Sequence, residues 1–440
     1  MNETAPDWPR FHAGTWYIDP LEVRAYSPPI KSGDAARTVI IGGGLAGLST
    51  ALSLAERGET DIALLERGEP GEGASGRNGG FVFGGYSLDP EKMAGQLGEA
   101  SARRMHRWTV EAVRTVAARC RRLGVSISDH GVLLADWFGD DEALARHQRR
   151  MHDLLDFDLD WVARKQMPDY VRSARYGAGL YEPGSFHFNP KAYAQAIADR
   201  LVQLGIRVHT QTRAIDINRR NGRWRVATPD AEMVADRVVL ATGGYERRLL
   251  PRIQRSIQPI ATYVVVTEPL GDRLRELIPG GVAVYDTRFA FDYYRPLADS
   301  RLLWGGRIST ADRDPSDVRR LMRRDIARVF PDLAEVRFDY AWGGWMSYAL
   351  HQMPILRESE EGLWLALAFG GHGMAPTALA GELLAEALLG DGERLGHFDA
   401  YRPDWAGGPI GRAAVQGIYW WKQLRDRLRA AGRPAPGQRR

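Results

Sequence analysis

Three glycines and one carboxylate near the start of the chain have the residue types and the spacing that bind a dinucleotide. Gly42, Gly44 and Gly47 follow an apolar run. They allow, in that order, a tight turn, close approach of the backbone to a pyrophosphate, and close packing of a helix on the strand. A helix that begins near Leu45 would point its unpaired N–H groups at the phosphates. Glu66 ends the next apolar run, where a carboxylate binds an adenosine ribose, so the pattern predicts a βαβ unit that holds NAD or FAD.

The rest of the chain favours FAD over NAD. The fingerprint occurs once, whereas a flavin enzyme that takes electrons from NADPH would usually need a second nucleotide domain, so the electrons should come from a substrate. The apolar run 234–240 leads into Thr242 and Gly243, where the chain would return to the adenine side of the cofactor. A later glycine turn, 370–373, precedes a helix whose N-terminus could stabilise the negative charge of a reduced flavin.

The elements that must position these residues belong to an α/β fold, α+β overall, with a Rossmann-type FAD-binding domain. Alternation over 206–209, 214–217 and 224–228 predicts three strands of a small hairpin layer. From 258 to 307 the sequence is rich in strands, which predicts a second, substrate domain on a mixed, largely antiparallel sheet. The expected division of the chain is an N-terminal arm (1–34), a discontinuous FAD-binding domain (35–90, 180–250 and 355–400), a mostly helical segment (91–179), a substrate domain (251–354), and a C-terminal helix with its tail (401–440).

The composition excludes several other classes of protein. A length of 440 residues with 44% hydrophobic content fits two globular domains. The 59 basic and 55 acidic residues leave a net charge of +4, and the arginines are scattered, so no nucleic-acid partner is expected. Cys120 is the one cysteine, so no intramolecular disulfide can form, and no metal site is expected. The first residues lack the pattern of a secretory signal and no apolar run approaches eighteen residues, which makes the cytoplasm the expected location.

Several motifs resemble the D-amino acid oxidase (DAO) superfamily of FAD-dependent amine and amino-acid oxidases, which includes glycine oxidase and sarcosine oxidase. Within it, the run 73–80 (Gly-Ala-Ser-Gly-Arg-Asn-Gly-Gly) and the segments 262–270, 292–295, 303–307 and 371–375 are most similar to γ-glutamylputrescine oxidase relatives. The resemblance covers residues 15–390 or so. It implies an FAD domain, a substrate domain whose mixed sheet covers the isoalloxazine, and oxidation of a C–N bond by hydride transfer to flavin N5, followed by hydrolysis of the imine.

The resemblance also assigns site residues. It places the loop 71–80 beside the isoalloxazine, where Arg77 could offset the charge of a reduced flavin. On the strands 291–295 and 302–307, period-two alternation sends about half of the side chains toward the flavin, without deciding which half. An arginine there can bind a carboxylate, and an aromatic ring can flank an amine. The catalytic candidates are Arg77, Tyr293, Arg307, Trp345 and His372. The cofactor-binding candidates are Gly42, Gly44, Leu45, Ala46, Gly47, Glu66, Arg67, Ala74, Ser75, Arg77, Asn78, Gly79, Gly80, Thr242, Gly243, Gly371, His372, Gly373 and Met374.

The resemblance leaves the electron acceptor open. Some relatives attach flavin through a cysteine in the segment that corresponds to 342–351; no cysteine occurs there, so FAD should be noncovalent. Sarcosine oxidase relatives use a lysine over the flavin to react with oxygen, yet no lysine falls in the strand-rich segment. The expected activity is oxidation of a primary or secondary amine or amino acid, possibly a γ-glutamylated polyamine, with O2 reduced to H2O2. An amine dehydrogenase that feeds a quinone or protein carrier, and a flavin-bound sensor without turnover, are the alternatives.

The C-terminal run 417–429 is basic and amphipathic, with Ile418, Trp421, Leu424 and Leu428 at helical spacing. Such a helix can lie on a membrane surface. We expect it instead to dock on its own domain.

Overall fold

A computed structural model describes residues 14–18, 26–246, 248–310, 313 and 315–431. Most of the expected N-terminal arm before residue 26, and the expected tail after 431, lie outside the described residues. The strands are β1 (Ala35–Ile41), β2 (Ile62–Leu65), β3 (Phe81–Val82), β4 (Ile127–Ser128), β5 (Val132–Ala135), β6 (Asp160–Val162), β7 (Gly179–Glu182), β8 (Phe186–Phe188), β9 (Arg207–His209), β10 (Asp216–Arg220), β11 (Arg223–Ala227), β12 (Glu232–Leu240), β13 (Gln258–Thr267), β14 (Ala283–Asp286), β15 (Tyr293–Pro296), β16 (Leu302–Ser309), β17 (Phe338–Tyr348), β18 (Ile355–Glu360) and β19 (Leu363–Leu367). The helices are α1 (Leu45–Ala55), α2 (Pro90–Leu97), α3 (Glu99–Arg122), α4 (Asp141–Leu155), α5 (Met167–Tyr170), α6 (Pro190–Gln203), α7 (Pro251–Gln254), α8 (Asp272–Leu277), α9 (Pro315–Val329), α10 (Met374–Leu388), α11 (Glu393–Gly396) and α12 (Gly408–Ala431).

The first large sheet is built on the predicted βαβ unit. Its parallel centre has the order β9-β2-β1-β12-β19. The first half of β12 pairs with the β10–β11 hairpin and its second half with β19, which in turn pairs with β18. The expectation of a three-stranded hairpin layer is wrong for β9. This strand, with buried Val208 and His209, pairs with β2 at the edge of the sheet opposite the β10–β11 hairpin.

The second large sheet has the order β17-β13-β16-β15-β14-β5-β7-β6. Neighbouring strands are antiparallel except for the pair β14–β5, so the prediction of a mixed, largely antiparallel sheet is confirmed. Strands β5 and β6 come from the segment 91–179, which was expected to be mostly helical and also supplies α2, α3 and α4. Strand β7 continues this addition up to Glu182.

The two faces of the second sheet have different roles. On one face, Tyr294 stacks on Trp304 with ring centroids 4.5 Å apart, and both are fully buried in a core that includes residues of α9. On the other face, the ring of Tyr293 lies edge-on to Phe81 of β3, at 5.5 Å. Alternation alone left open which side chains share a face, and the structure places Tyr293 on the face that contacts β3 and the loop 71–80.

Helix α12 packs across the outside of the second sheet. Tyr419 is 7% exposed, and the Asp426 carboxylate accepts a 2.8 Å hydrogen bond from the N–H of Phe289. The prediction that the C-terminal helix docks on its own domain is confirmed for this face of the helix. Within the part of the chain that the structure describes, no helix is both long and apolar enough to cross a membrane.

Candidate active site

A cleft with an empty volume of about 750 Å³ opens at the carboxyl ends of β1, β2 and β12. This is the edge at which parallel α/β sheets bind nucleotides. At its far side the cleft reaches β17, through Trp345 and Ser347. The predicted cofactor residues that line it are Gly42, Gly44, Glu66, Arg67, Ala74, Ser75, Thr242 and Gly243.

The fingerprint glycines are required by close backbone contacts. Gly42 has a φ of +113°, and a Cβ there would lie 2.4 Å from the carbonyl oxygen of Ala241 at the end of β12. A Cβ on Gly47 would lie 2.0 Å from the carbonyl oxygen of Gly42. At Gly44 the space is less tight, since the nearest atom to a Cβ is the Ser75 hydroxyl, at 3.0 Å. The glycines thus keep the start of α1 close to β1 and β12, which leaves the helix N-terminus facing the cleft.

Glu66 is held rigidly at the end of β2. Its carboxylate accepts hydrogen bonds from the N–H groups of Gly43, at 2.6 Å, and Gly68, at 2.9 Å. Burial raises the pKa of Glu66, and these two N–H groups oppose that shift. Each carboxylate oxygen has a second acceptor site, so the carboxylate can still bind the hydroxyl groups of a ribose.

Two buried polar atoms indicate that the cleft is shaped for a polar ligand. The hydroxyl oxygen of Thr242 and the indole nitrogen of Trp345 have no hydrogen-bond partner among the described residues, and both residues line the cleft. An unsatisfied buried polar group costs on the order of 1–3 kcal/mol. A dinucleotide with hydroxyl and phosphate groups could satisfy such atoms, so the residues present fit FAD.

The loop 71–80 borders this cleft through Gly73, Ala74 and Ser75 and is tightly braced. The Asn78 side-chain amide donates to the carbonyls of Ala74 and Ser75, and its oxygen accepts from the N–H of Gly80. The guanidinium of Arg295, on β15, donates to the carbonyl of Gly79 at 2.6 Å. The loop is thereby positioned by its own side chains and by the second sheet.

Arg77 is 5% exposed and joins this loop to β17. Its Nε donates to the carbonyl of Glu72 at 2.8 Å, and its own carbonyl accepts a hydrogen bond from the indole of Trp342. Burial lowers the pKa of Arg77. These contacts fix the position of the side chain, and its role toward flavin stays a prediction.

Arg307 and His372 lie in different surroundings from one another. The Arg307 guanidinium forms two 2.6 Å hydrogen bonds with the buried carboxylate of Asp325, on α9, so its donor pair is already engaged. Its predicted part in catalysis stays a prediction, and binding a substrate carboxylate would require competition with Asp325.

His372 packs edge-on against Phe83 at 5.0 Å, and burial lowers the pKa of its imidazole to about 4, which makes it neutral at pH 7.

An aromatic wall stands on the other side of the loop 71–80. The aromatic wall consists of side chains from β3, β14, β15 and the segments that flank these strands. Within it, the rings of Phe83 and Tyr285 stack with their centroids 5.8 Å apart. A Cβ on Gly79 would meet the Tyr293 ring at 2.5 Å, so the wall adjoins the loop directly. Its members are Phe81, Phe83, Tyr285, Phe291 and Tyr293.

Glu182 is an acidic side chain beside this wall, and sequence reasoning missed it. Glu182 pairs with Val132 of β5, and Tyr285 pairs with Leu134 of the same strand. Because Val132 and Leu134 are two residues apart on β5, Glu182 and Tyr285 lie on the same face of the sheet. Burial, followed by the charge of Glu182, raises the pKa of Tyr285. Burial also raises the pKa of Glu182 to about 7, against hydrogen bonds from the Ser185 side chain and the Gly84 N–H. The available signal was a carboxylate ending the apolar run 177–182, but no strand was predicted there.

Comparisons with known proteins agree with this geometry. A family model described as FAD dependent oxidoreductase matches residues 37–387, and the chain belongs to this DAO family. Probable oxidoreductase OrdL of Haemophilus influenzae is 31% identical over 434 residues, which cover 94% of this chain and 97% of that protein. Gamma-glutamylputrescine oxidoreductase of Escherichia coli is 31% identical over 401 residues, with 89% and 91% covered.

Solved structures share the fold. L-proline dehydrogenase from P. horikoshii superposes with a TM-score of 0.70 at 19% identity, over 84% of this chain and 97% of that one. Glycine oxidase from Bacillus cereus gives a TM-score of 0.66 at 20% identity, over 81% and 95%. The predicted family, fold class and dependence on FAD are confirmed.

Proposed function

We propose that this enzyme oxidises the C–N bond of a primary or secondary amine or amino acid, with a γ-glutamylated polyamine among the candidates. Overall, amine, water and O2 become a carbonyl compound, ammonia or a shorter amine, and H2O2. The observation that carries the proposal is the placement of Glu182 beside the aromatic wall, next to the loop that borders the FAD cleft. A carboxylate and aromatic faces together recognise an ammonium group. The name of the Escherichia coli relative supports an amine of this kind.

Bound FAD would supply the acceptor for the two electrons of the C–N bond. Glu66, Thr242 and the N-terminus of α1 would hold its nucleotide portion. Glu182 would orient the substrate ammonium and, when ionised, take a proton from it, which leaves the nitrogen lone pair available. The aromatic wall would exclude water from the reacting carbon. Arg77, Tyr293, Arg307, Trp345 and His372 remain our proposed residues at the flavin and substrate.

We further propose that FAD is bound noncovalently, in the cytoplasm. Cys120 is the one cysteine of the sequence, and it is fully buried in α3. Burial raises the pKa of its thiol to about 12, which disfavours the reactive thiolate. A chain with one cysteine also fits a reducing compartment.

A quinone or a protein carrier is the alternative electron acceptor. The observation that favours it is the absence of lysine from residues 258–348, which provide β13 to β17. Oxygen and a carrier differ in the product formed after the substrate has been oxidised. One experiment can therefore separate them.

Anaerobic mixing of the purified flavoprotein with a panel of amines tests the proposed function. We expect loss of the visible flavin absorption with at least one cationic amine, and formation of H2O2 when air is admitted. Loss of absorption without peroxide would replace the oxidase by a dehydrogenase. If no amine or amino acid in the panel bleaches the flavin, both enzymatic proposals are wrong and a sensor without turnover is favoured.

Substitution of Glu182 tests the substrate-binding part. Glu182→Gln should lower kcat/KM for a cationic amine about 10- to 100-fold, because a hydrogen bond to a charged group is worth roughly 1.5–3 kcal/mol. Since the pKa of Glu182 is raised to about 7, the wild-type kcat/KM should rise with pH through that value as the carboxylate ionises. The variant should lose this rise.

The matched control is Asp160→Asn, an exposed carboxylate on β6 of the same sheet. It should leave kcat/KM and its pH dependence unchanged. Wild-type values for Glu182→Gln would remove Glu182 from the substrate site.

A further inference from the structure

Helix α12 packs on the protein with only one of its faces. Toward the protein, the Gln416 side-chain oxygen accepts from the N–H of Thr310 at 2.9 Å, and the Asp426 carboxylate accepts from the N–H of Phe289. Tyr419 lies between them and is buried. At 100° per residue these positions share one side of the helix.

The opposite side of α12 is apolar and exposed. Trp420, Trp421 and Leu428 are 62%, 64% and 65% exposed. On a helical wheel Trp421 and Leu428 lie opposite Tyr419, and Trp420, at about 100° from Tyr419, lies at the edge of the exposed side. Monomeric proteins seldom expose a contiguous apolar surface of this kind unless it binds something. The residues of this outward strip are Ile410, Ile418, Trp420, Trp421, Leu424 and Leu428.

The charges around the outward strip are almost all positive. Arg425 and Arg427 are exposed and flank it on its two sides. Over its whole length α12 carries five basic residues against the single acid Asp426. Two of them contact the protein, since Arg429 pairs with Asp140 at 2.7 Å and Lys422 lies over the Phe289 ring. The sequence that follows, 432–440, adds three arginines and no acidic residue. This excess is large beside the net charge of +4 for the entire chain.

We propose that α12 binds the surface of an anionic lipid bilayer through the outward strip. Tryptophans and leucines between arginines are the pattern of helices that lie in the interface of a membrane, with apolar side chains among the acyl chains and cations at the headgroups. A second copy of this chain fits less well, because a symmetric contact would bring the flanking arginines of one copy close to those of the other. The contact uses the face of α12 that the protein leaves uncovered, so it requires no rearrangement.

Co-sedimentation of the full-length holoprotein with vesicles tests the proposal. We expect binding to vesicles of phosphatidylcholine with phosphatidylglycerol, and much weaker binding to phosphatidylcholine alone. The double variant Trp421→Ser/Leu424→Ser should bind at least about tenfold more weakly, because two buried apolar side chains are lost. Arg425→Gln and Arg427→Gln should each weaken binding about fivefold at low salt and less at high salt.

Leu389→Ser is the matched control, since Leu389 is an apolar side chain, 46% exposed, at the end of α10. It should bind vesicles as the wild type does. All of these variants should keep the flavin content and the unfolding temperature of the wild type, because none of the substituted side chains packs in the core. Failure of the wild type to bind anionic vesicles at low salt would overturn the proposal. So would a concentration-dependent dimer, seen by light scattering, that the double variant abolishes, because a second copy would then cover the strip.

Discussion

Replacement of Gly47 by alanine is expected to abolish FAD binding and to lower the free energy of unfolding by about 3 kcal/mol or more. The added Cβ would lie 2.0 Å from the Gly42 carbonyl oxygen and 3.2 Å from the Ile40 side chain. Both neighbours belong to the strand and turn that form the cleft, so the clash cannot be relieved by rotation of a flexible side chain. The start of α1 would have to move away from β1, and the surface that faces the pyrophosphate would move with it.

The same substitution at Gly95 is the control. Gly95 lies within α2, and a Cβ there meets no atom within 4 Å. Because alanine favours helix more than glycine does, Gly95→Ala should stabilise the protein by up to about 1 kcal/mol and keep its flavin. The measurements are the flavin-to-protein ratio from visible absorption and chemical unfolding of both variants. Full flavin content in Gly47→Ala would show that the helix need not lie so close to the turn.

Replacement of Arg288 by methionine should lower the free energy of unfolding at pH 7 by about 3–5 kcal/mol. Arg288 binds two carboxylates whose side chains are almost completely buried, Asp286 at 2.8 Å and Asp292 at 2.7 Å. Methionine fills part of the same volume but carries no charge. The variant therefore leaves two neighbouring acids in the interior without the cation that neutralises them.

The size of this loss should depend on pH. Burial raises the pKa of Asp286, and Arg288 opposes the shift, so the variant should raise that pKa further above the value in the unfolded chain. A carboxyl group whose pKa is higher in the folded than in the unfolded protein stabilises the folded protein at pH values below its unfolded pKa, which is about 3.9 for aspartate. This stabilisation is lost as the pH rises through the pKa of the folded state. The deficit of the variant should therefore shrink as pH falls from 8 toward 5, by up to about 1.4 kcal/mol per pH unit for each proton bound.

Urea unfolding at several pH values measures this, with Arg275→Met as the control. Arg275 pairs with Asp272 on the surface, where both side chains are more than 80% exposed, and an exposed pair contributes little to stability. The control should unfold as the wild type does. A deficit in Arg288→Met that stays constant across this pH range would exclude the buried carboxylates as its cause.

The parts of the fold that depend on neighbouring residues could be predicted from the sequence. The β1–α1–β2 unit agrees with prediction, because glycine spacing and short apolar runs act within a few residues. Strands β5 and β7 were not predicted. They have four residues each, and β5 is held by pairing with β14, where Val132 meets Ala283. A contact of such long range leaves no local pattern.

The same distinction applies to the candidate site. Gly42, Glu66 and Thr242 could be placed at the cleft because each lies within two residues of the end of a strand of the first large sheet. Arg307 could be recognised as a possible carboxylate ligand, but its partner Asp325 lies on a helix whose packing the sequence does not specify. Glu182 acquires its meaning only when β7 reaches the second sheet.

The order in which the chain builds its two large sheets affects how the molecule can behave as a whole. It forms β1 and β2 of the first sheet, then β5 to β7 of the second, returns for β9 to β12, leaves again for β13 to β17, and ends with β18 and β19 back in the first. The two sheets are therefore interwoven, and neither is built from one continuous piece of the chain. Folding should be a single cooperative event with many long-range closures. The four connections between the sheets also oppose a wide hinge opening, so a substrate should enter by movement of surface loops.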